Sequence, residues 1–145
     1  MTATERSTLL AKLSYLQDAL PKIARARALP KEEFLQDDAF TATLHRLQTA
    51  VESVLDCAQL LVLIEDWRPA RSEVDAVELL ARNDVIPQDL CKRLLAAKGF
   101  RNLVVHEYAK IDPEKVYENL QKGFADLEAF AKCLACYLEK QKAGG

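Results

Sequence analysis

The feature that most constrains this chain is an apolar stripe. Phe40, Leu44, Leu47, Val51, Val54, Ala58 and Leu61 recur at steps of three and four, and no Gly or Pro interrupts the chain between Lys31 and Asp66. Residues so spaced fall on one face of an α-helix. Asp37 or Asp38 is a candidate N-cap. The stripe predicts an unbroken helix to about Asp66, about 29 residues or roughly 43 Å at 1.5 Å per residue. A rod of that length with one apolar face needs other helices against it, so a bundle is the architecture to expect.

The rest of the chain supplies those partners. Leu9, Leu13, Leu16, Leu20 and Ile23 form a second stripe, with Pro21 predicting a kink or a restart within it. A short linker follows Leu29 and Pro30. The stretch from Trp67 to Arg71, with Pro69, reads as a connection. Ser72 with Asp75 three residues on resembles a capping box, opening a short helix with Val74, Val77 and Leu80 inward and Asn83 near its end. Pro87 suits the first turn of a helix carrying Leu90, Leu94 and Ala97, with Gly99 as its C-terminal signal. Asp112, Pro113 and Glu114 read as N-cap, first-turn proline and acidic first turn of a last helix, whose stripe runs through Val116, Leu120, Phe124, Leu127, Ala131, Leu134 and Leu138. Leu (23) and Ala (21) dominate while Gly (4) and Pro (5) are scarce, which favours helix over sheet. The expectation is therefore an all-α, up-and-down bundle of about five helices, forming a single domain over residues 1–145.

Charge and cysteine content narrow the function classes. The formal net charge is −2, without the overall basic balance of many nucleic-acid binders. Two local runs differ. Lys22, Arg25, Arg27 and Lys31 occur without a carboxylate among them, and so do Lys92, Arg93, Lys98 and Arg101 between Cys91 and His106. Either run can serve an anion, or acids from elsewhere in the fold offset it. No apolar run approaches the roughly 20 residues of a membrane span, and the N-terminus lacks the pattern of a secretory signal, so a cytoplasmic protein with no membrane partner is the default expectation. Cys133 and Cys136 form a C-x-x-C inside a helical pattern with no second pair or nearby His, which favours core packing over metal or redox chemistry. Neither a metal nor a cofactor is called for.

One segment departs from the bundle pattern. From Gly99 to Tyr108 the chain concentrates Arg101, Asn102, His106 and Tyr108 around the apolar triplet Leu103, Val104 and Val105. In a continuous helix Arg101 and Tyr108 would lie within about 20° of each other, with Asn102 and His106 an i, i+4 pair on the adjoining face. Four polar tips would then converge on one ligand. Taken singly, each also has an ordinary structural role: Arg101 pairing an acid on the long helix, His106 as a half-buried imidazole, Tyr108 at the edge of the core.

Together these residues spell R-x4-H-x-Y with a polar residue after the Arg, and here the chain resembles the HEPN superfamily and, within it, the HepT-like toxins of HepT/MntA toxin–antitoxin pairs. Chance would place four such residue types at this spacing on the order of once in a thousand chains of this length. The long helix with Glu52 and Asp56, the ELLARNDVIPQDL lead-in and the GFRN entry extend the resemblance from about Leu9 to Leu138. Thr49 and Gln59 depart from the Arg and Asn that some members carry there.

The resemblance implies the toxin of a type VII toxin–antitoxin system, a metal-independent endoribonuclease. Its RNA substrate would be cut by attack of the ribose 2′-hydroxyl on the adjacent phosphate, leaving a 2′,3′-cyclic phosphate. His106 is the candidate acid/base, Arg101 the phosphate clamp, and Asn102 would orient the phosphate or the imidazole. Glu52 and Asp56 are the candidate supporting acids for Arg101, and Lys92, Arg93 and Lys98 the basic flank for RNA. Base and acid normally stand on opposite sides of the phosphate, and the only other histidine, His45, has no motif around it. A twofold-related copy would supply a second His106, so a homodimer with a composite site is expected. The resemblance also implies that a cognate MntA-like nucleotidyltransferase antitoxin places AMP on Tyr108 and blocks the RNA slot. Two other classes remain open: a non-catalytic HEPN bundle acting as substrate-binding or regulatory partner of a nucleotidyltransferase, and a plain helical dimer for protein interaction.

Overall fold

The structure, a computed structural model, describes residues 1–144, apart from the side chains of Leu103, Val105 and residues 142–144; Gly145, the end of the predicted domain, lies outside the described residues. Six α-helices follow one another: α1 (Ala3–Ala28), α2 (Lys31–Phe34), α3 (Asp37–Glu65), α4 (Glu73–Arg82), α5 (Gln88–His106) and α6 (Pro113–Gly144), with a 3₁₀ turn at Tyr108–Lys110. The expected five helices are present, and the linker after Pro30 adds one turn, α2. No strand occurs among the described residues.

Helix α3 is the axis of the bundle and touches all five other α-helices. Every member of its predicted stripe is buried. It ends where Asp66 adopts a left-handed conformation (φ 54°) and returns its N–H to the Val62 carbonyl. At the other end Gln36, with extended backbone, takes the N-cap position, so Asp37 and Asp38 act from the first turn, where carboxylates favour the helix dipole. By length and composition α3 could cross a membrane, which corrects the expectation that no segment approaches a span. Yet 56% of the relevant window is buried inside the bundle, as befits a core helix.

Helix α1 packs on α3 and α6 through Leu9, Leu13, Leu16 and Ile23. It runs through Pro21 without the predicted restart. Two hydrogen bonds tie its end to α6: the Tyr117 hydroxyl donates to the Leu29 carbonyl (2.8 Å) and the Gln121 amide to the Arg27 carbonyl (3.1 Å). Phe34 of α2 is fully buried against Phe40 and Tyr117, with ring centroids 6.0 and 5.0 Å away. Asp112 caps α6 as expected, its side chain accepting from the Glu114 N–H (3.0 Å). Cys57 lies sealed in the core, where burial pushes its thiol up to about 12; Cys133 is half-buried, Cys136 exposed, and all four cysteines are free.

Gly99 does not end α5. The helix passes through it for seven more residues, and a Cβ built at this glycine would meet nothing within 4 Å. The true stop is Glu107, whose backbone (φ −137°, ψ 42°) leaves the helical region and opens the 3₁₀ turn.

Candidate active site at the end of helix α5

The connection from α3 to α4 builds one wall of the site. Arg68 donates to both carboxylate oxygens of Asp75 (Nη1 to Oδ2 2.6 Å, Nη2 to Oδ1 2.7 Å), and the Arg71 N–H adds a third bond (2.9 Å). Asp75 is almost fully buried, and the Arg68 guanidinium together with the Arg71 amide holds its carboxyl far below the usual range. Ser72 caps α4 by accepting from the Asp75 N–H (3.1 Å), as the spacing predicted. This network fixes the first turn of α4, and with it Glu73.

Glu73 faces the other wall. Arg101 Nη2 donates to Glu73 Oε2 (2.9 Å) and to Asn102 Oδ1 (3.0 Å), and Lys98 Nζ stands 3.9 Å from the same Glu73 oxygen. Arg101 is largely covered, its side chain 18% exposed, and its Nε is buried with no hydrogen-bond partner among the described residues. An orphaned buried donor costs about 1–3 kcal/mol, so the Glu73 and Asn102 bonds hold the guanidinium in place at the expense of one unmet N–H.

The expected support from Glu52 and Asp56 is not what the structure shows. Glu52 instead accepts from Gln48 (3.3 Å), and Asp56 is exposed. Both line a polar groove of about 530 Å³ between α1 and α3, together with Lys12, Tyr15 and His45. The partner of Arg101 is Glu73, which sequence reasoning missed because Ser72-x-x-Asp75 accounts for its neighbourhood as a cap.

The remaining motif residues occupy the last turn of α5 and the segment beyond it. Asn102 and His106 share a helical face at i, i+4, and His106 is exposed. Tyr108 is 54% exposed on the 3₁₀ turn. Because α5 ends at His106, the helical alignment of Arg101 with Tyr108 does not exist; two backbone segments separated by the break at Glu107 carry them. Of the triplet expected to anchor the segment, Val104 is buried, while the side chains of Leu103 and Val105 lie outside the described residues.

The basic flank is also partly spoken for. Arg93 bonds Asp126 of α6 (2.7 Å) and Asp89 (3.2 Å), and Lys98 leans on Glu73, whereas Lys92 is exposed. The run is carboxylate-free in sequence but not in space. In the N-terminal run, Arg27 lies over the Phe124 ring (4.9 Å) and Lys31 pairs with Glu114 (3.5 Å). Beside Arg93 an apolar cleft of about 360 Å³ opens between α3, α5 and α6, lined by Leu47, Val51, Leu94, Phe100, Leu120 and Leu127. Among the described residues no group of three or more His, Cys, Asp or Glu side chains gathers as a metal site would.

An all-helical bundle with R-x4-H-x-Y at the end of a core-flanking helix fits the class of HepT-like helical proteins. The model of the HepT-like ribonucleases (Ribonuclease HepT-like) matches residues 16–134, and the chain belongs to that family. A protein of Archaeoglobus fulgidus is 28% identical over 135 residues, 93% of this chain and 96% of its own length. The mRNA nuclease HepT of Shewanella oneidensis is 29% identical over 100 residues, 69% of this chain and 73% of its own. In fold, the tri-AMPylated HEPN toxin of Shewanella oneidensis, solved in complex with an MNT antitoxin, superposes with a TM-score of 0.80 at 24% identity, covering 88% of this chain and 96% of that one.

Proposed function

We propose that this chain is the toxin of a toxin–antitoxin pair and a metal-independent endoribonuclease. The observation that carries the proposal is the constrained guanidinium of Arg101, with Asn102 beside it and His106 one helical turn further on, in a chain of the HepT-like ribonuclease family. Arg101 binds the scissile phosphate and offsets charge growing on its oxygens. His106 takes the proton of the ribose 2′-hydroxyl, whose oxygen attacks phosphorus as the 5′-oxygen of the next nucleotide leaves. The His106 of a second copy, across a twofold axis, protonates that leaving oxygen, so the working form is a homodimer with a composite site. The product carries a 2′,3′-cyclic phosphate. Lys92 contributes longer-range attraction for the RNA strand, and Arg93 and Lys98 do so only in part, given the acids they already contact.

Tyr108 is the regulatory position. Its exposed phenol is open to a nucleotidyltransferase antitoxin, where the phenolic oxygen would attack the α-phosphorus of ATP, releasing pyrophosphate and its own proton. The added phosphodiester and adenine then occlude the RNA slot. The toxin of the Shewanella complex is AMPylated and antitoxin-bound, which supports the same control here.

The decisive experiment is cleavage of total RNA by the purified protein in chelator, with the new 3′ ends examined for cyclic phosphate. Cleavage that vanishes in His106→Ala at unchanged melting temperature is the expected result. A wild-type protein that binds its antitoxin and cuts nothing would instead identify a non-catalytic regulatory bundle. For Tyr108, intact mass after co-expression with an MntA-like nucleotidyltransferase should rise by one or more AMP units, and Tyr108→Phe should abolish the gain.

A further inference from the structure

We propose that Glu73 is the positioning residue of the site, holding Arg101 in the orientation that receives the phosphate; the inference rests on the ribonuclease reading above. One carboxylate oxygen meets two cations, Arg101 at 2.9 Å and Lys98 at 3.9 Å. The group of three therefore keeps one unit of positive charge for an anion. Only Nη2 of Arg101 is engaged, by Glu73 and by Asn102, and among the described residues Nη1 carries no hydrogen bond. The carboxylate thus pins one corner of the guanidinium and leaves another for phosphate.

Glu73 is itself well placed to be rigid. It is the first residue of α4, where a negative charge favours the helix dipole. On one side Ser72 caps the helix, and two residues on Asp75 is locked by Arg68 and Arg71. The rigidity of a loop between α3 and α4 is in this way passed to a side chain on α5. A supporting residue of this kind acts on the rate through the group it holds, because an arginine free to rotate spends less time aligned with the phosphorane-like charge it must offset.

The test compares wild type, Glu73→Gln and Glu73→Asp in the full-length protein, with active sites counted by binding of a non-cleavable 2′-deoxy oligonucleotide so that any unfolded fraction is removed from the rate. Glu73→Gln should lower kcat per active site by about 10- to 100-fold, with KM within about twofold because the guanidinium stays charged. Glu73→Asp, which keeps the charge on a shorter arm, should recover part of that loss and remains informative if the Gln variant folds poorly. Equal or higher kcat in Glu73→Gln, or no recovery in Glu73→Asp, overturns the assignment, a rise meaning that the pair restrains Arg101 unproductively. A wild-type protein that cleaves no RNA sinks the ribonuclease reading and this inference with it, whereas active wild type with an indifferent Glu73→Gln sinks this inference alone.

Discussion

Two polar clusters face each other across Glu73, and they are built to opposite standards. In the Arg68–Asp75 loop, both carboxylate oxygens of Asp75 are engaged and the helix cap is closed. From Arg101 to Tyr108, a buried donor has no partner among the described residues, His106 is exposed at a helix end, and Tyr108 stands out on a 3₁₀ turn. Paired and buried groups hold a shape; exposed ones are open to a ligand. On the ribonuclease reading proposed above, the difference separates the part of the polar surface that stabilises the fold from the part that would act.

Substitutions should divide along the same line. The largest effect expected is His106→Ala, which should lower RNA cleavage by on the order of 10²- to 10⁴-fold while leaving the melting temperature unchanged, since the imidazole is exposed. A comparable loss of melting temperature would move His106 to the structural side. Asp75→Asn should show the opposite balance: thermal stability falls, and cleavage per folded molecule drops far less than in His106→Ala, only by as much as Glu73 loses its support. Its pH dependence carries a sign. The folded-state pKa of Asp75 is depressed, so its contribution is fully present above the unfolded value near 4 and is lost as pH falls toward the folded value. The wild type should therefore lose stability steeply below about pH 4, and Asp75→Asn should show a shallower acid limb in the same thermal scans.

Smaller effects sharpen the boundary. Lys92→Ala should reduce the slope of log affinity for RNA against log salt by about 1, as expected for one lost phosphate contact, whereas Arg93→Ala should change that slope less, because Asp126 and Asp89 already hold it. Equal slopes for the two variants would erase the distinction. Smallest of all, Gly99→Ala should stabilise by about 0.5–1 kcal/mol in denaturant unfolding, because the residue is helical and the added methyl meets open space.

The bundle was legible in the sequence to the degree that local rules govern it. The α3 stripe and its end at Asp66, the Ser72 cap and the Asp112 cap all follow from spacing and capping chemistry within a few residues. Gly99 reads as a stop because helix-stop signals weigh only neighbours, while the contacts of α5 with α3, α4 and α6 carry the helix onward. The same limit applies to charge. Arg101 lies 28 residues from Glu73, and Arg93 lies 33 from Asp126, separations that no periodicity reports. Motif residues were identifiable from spacing; the acid that holds Arg101 required three dimensions, and so did the break at Glu107 that sets Tyr108 on a separate segment.

The sealed thiol of Cys57 gives the molecule a clock of its own. Its sulfur sits on the central helix at 0% exposure and ionises only near the top of the alkaline range, so an alkylating reagent at neutral pH can reach it only when α3 is uncovered. Cys136, exposed on α6, reacts from the folded state and serves as the internal reference. The ratio of the two labelling rates measures how often the helices covering α3 move away, and a ligand that stabilises the closed bundle without touching either sulfur should slow one rate and leave the other alone.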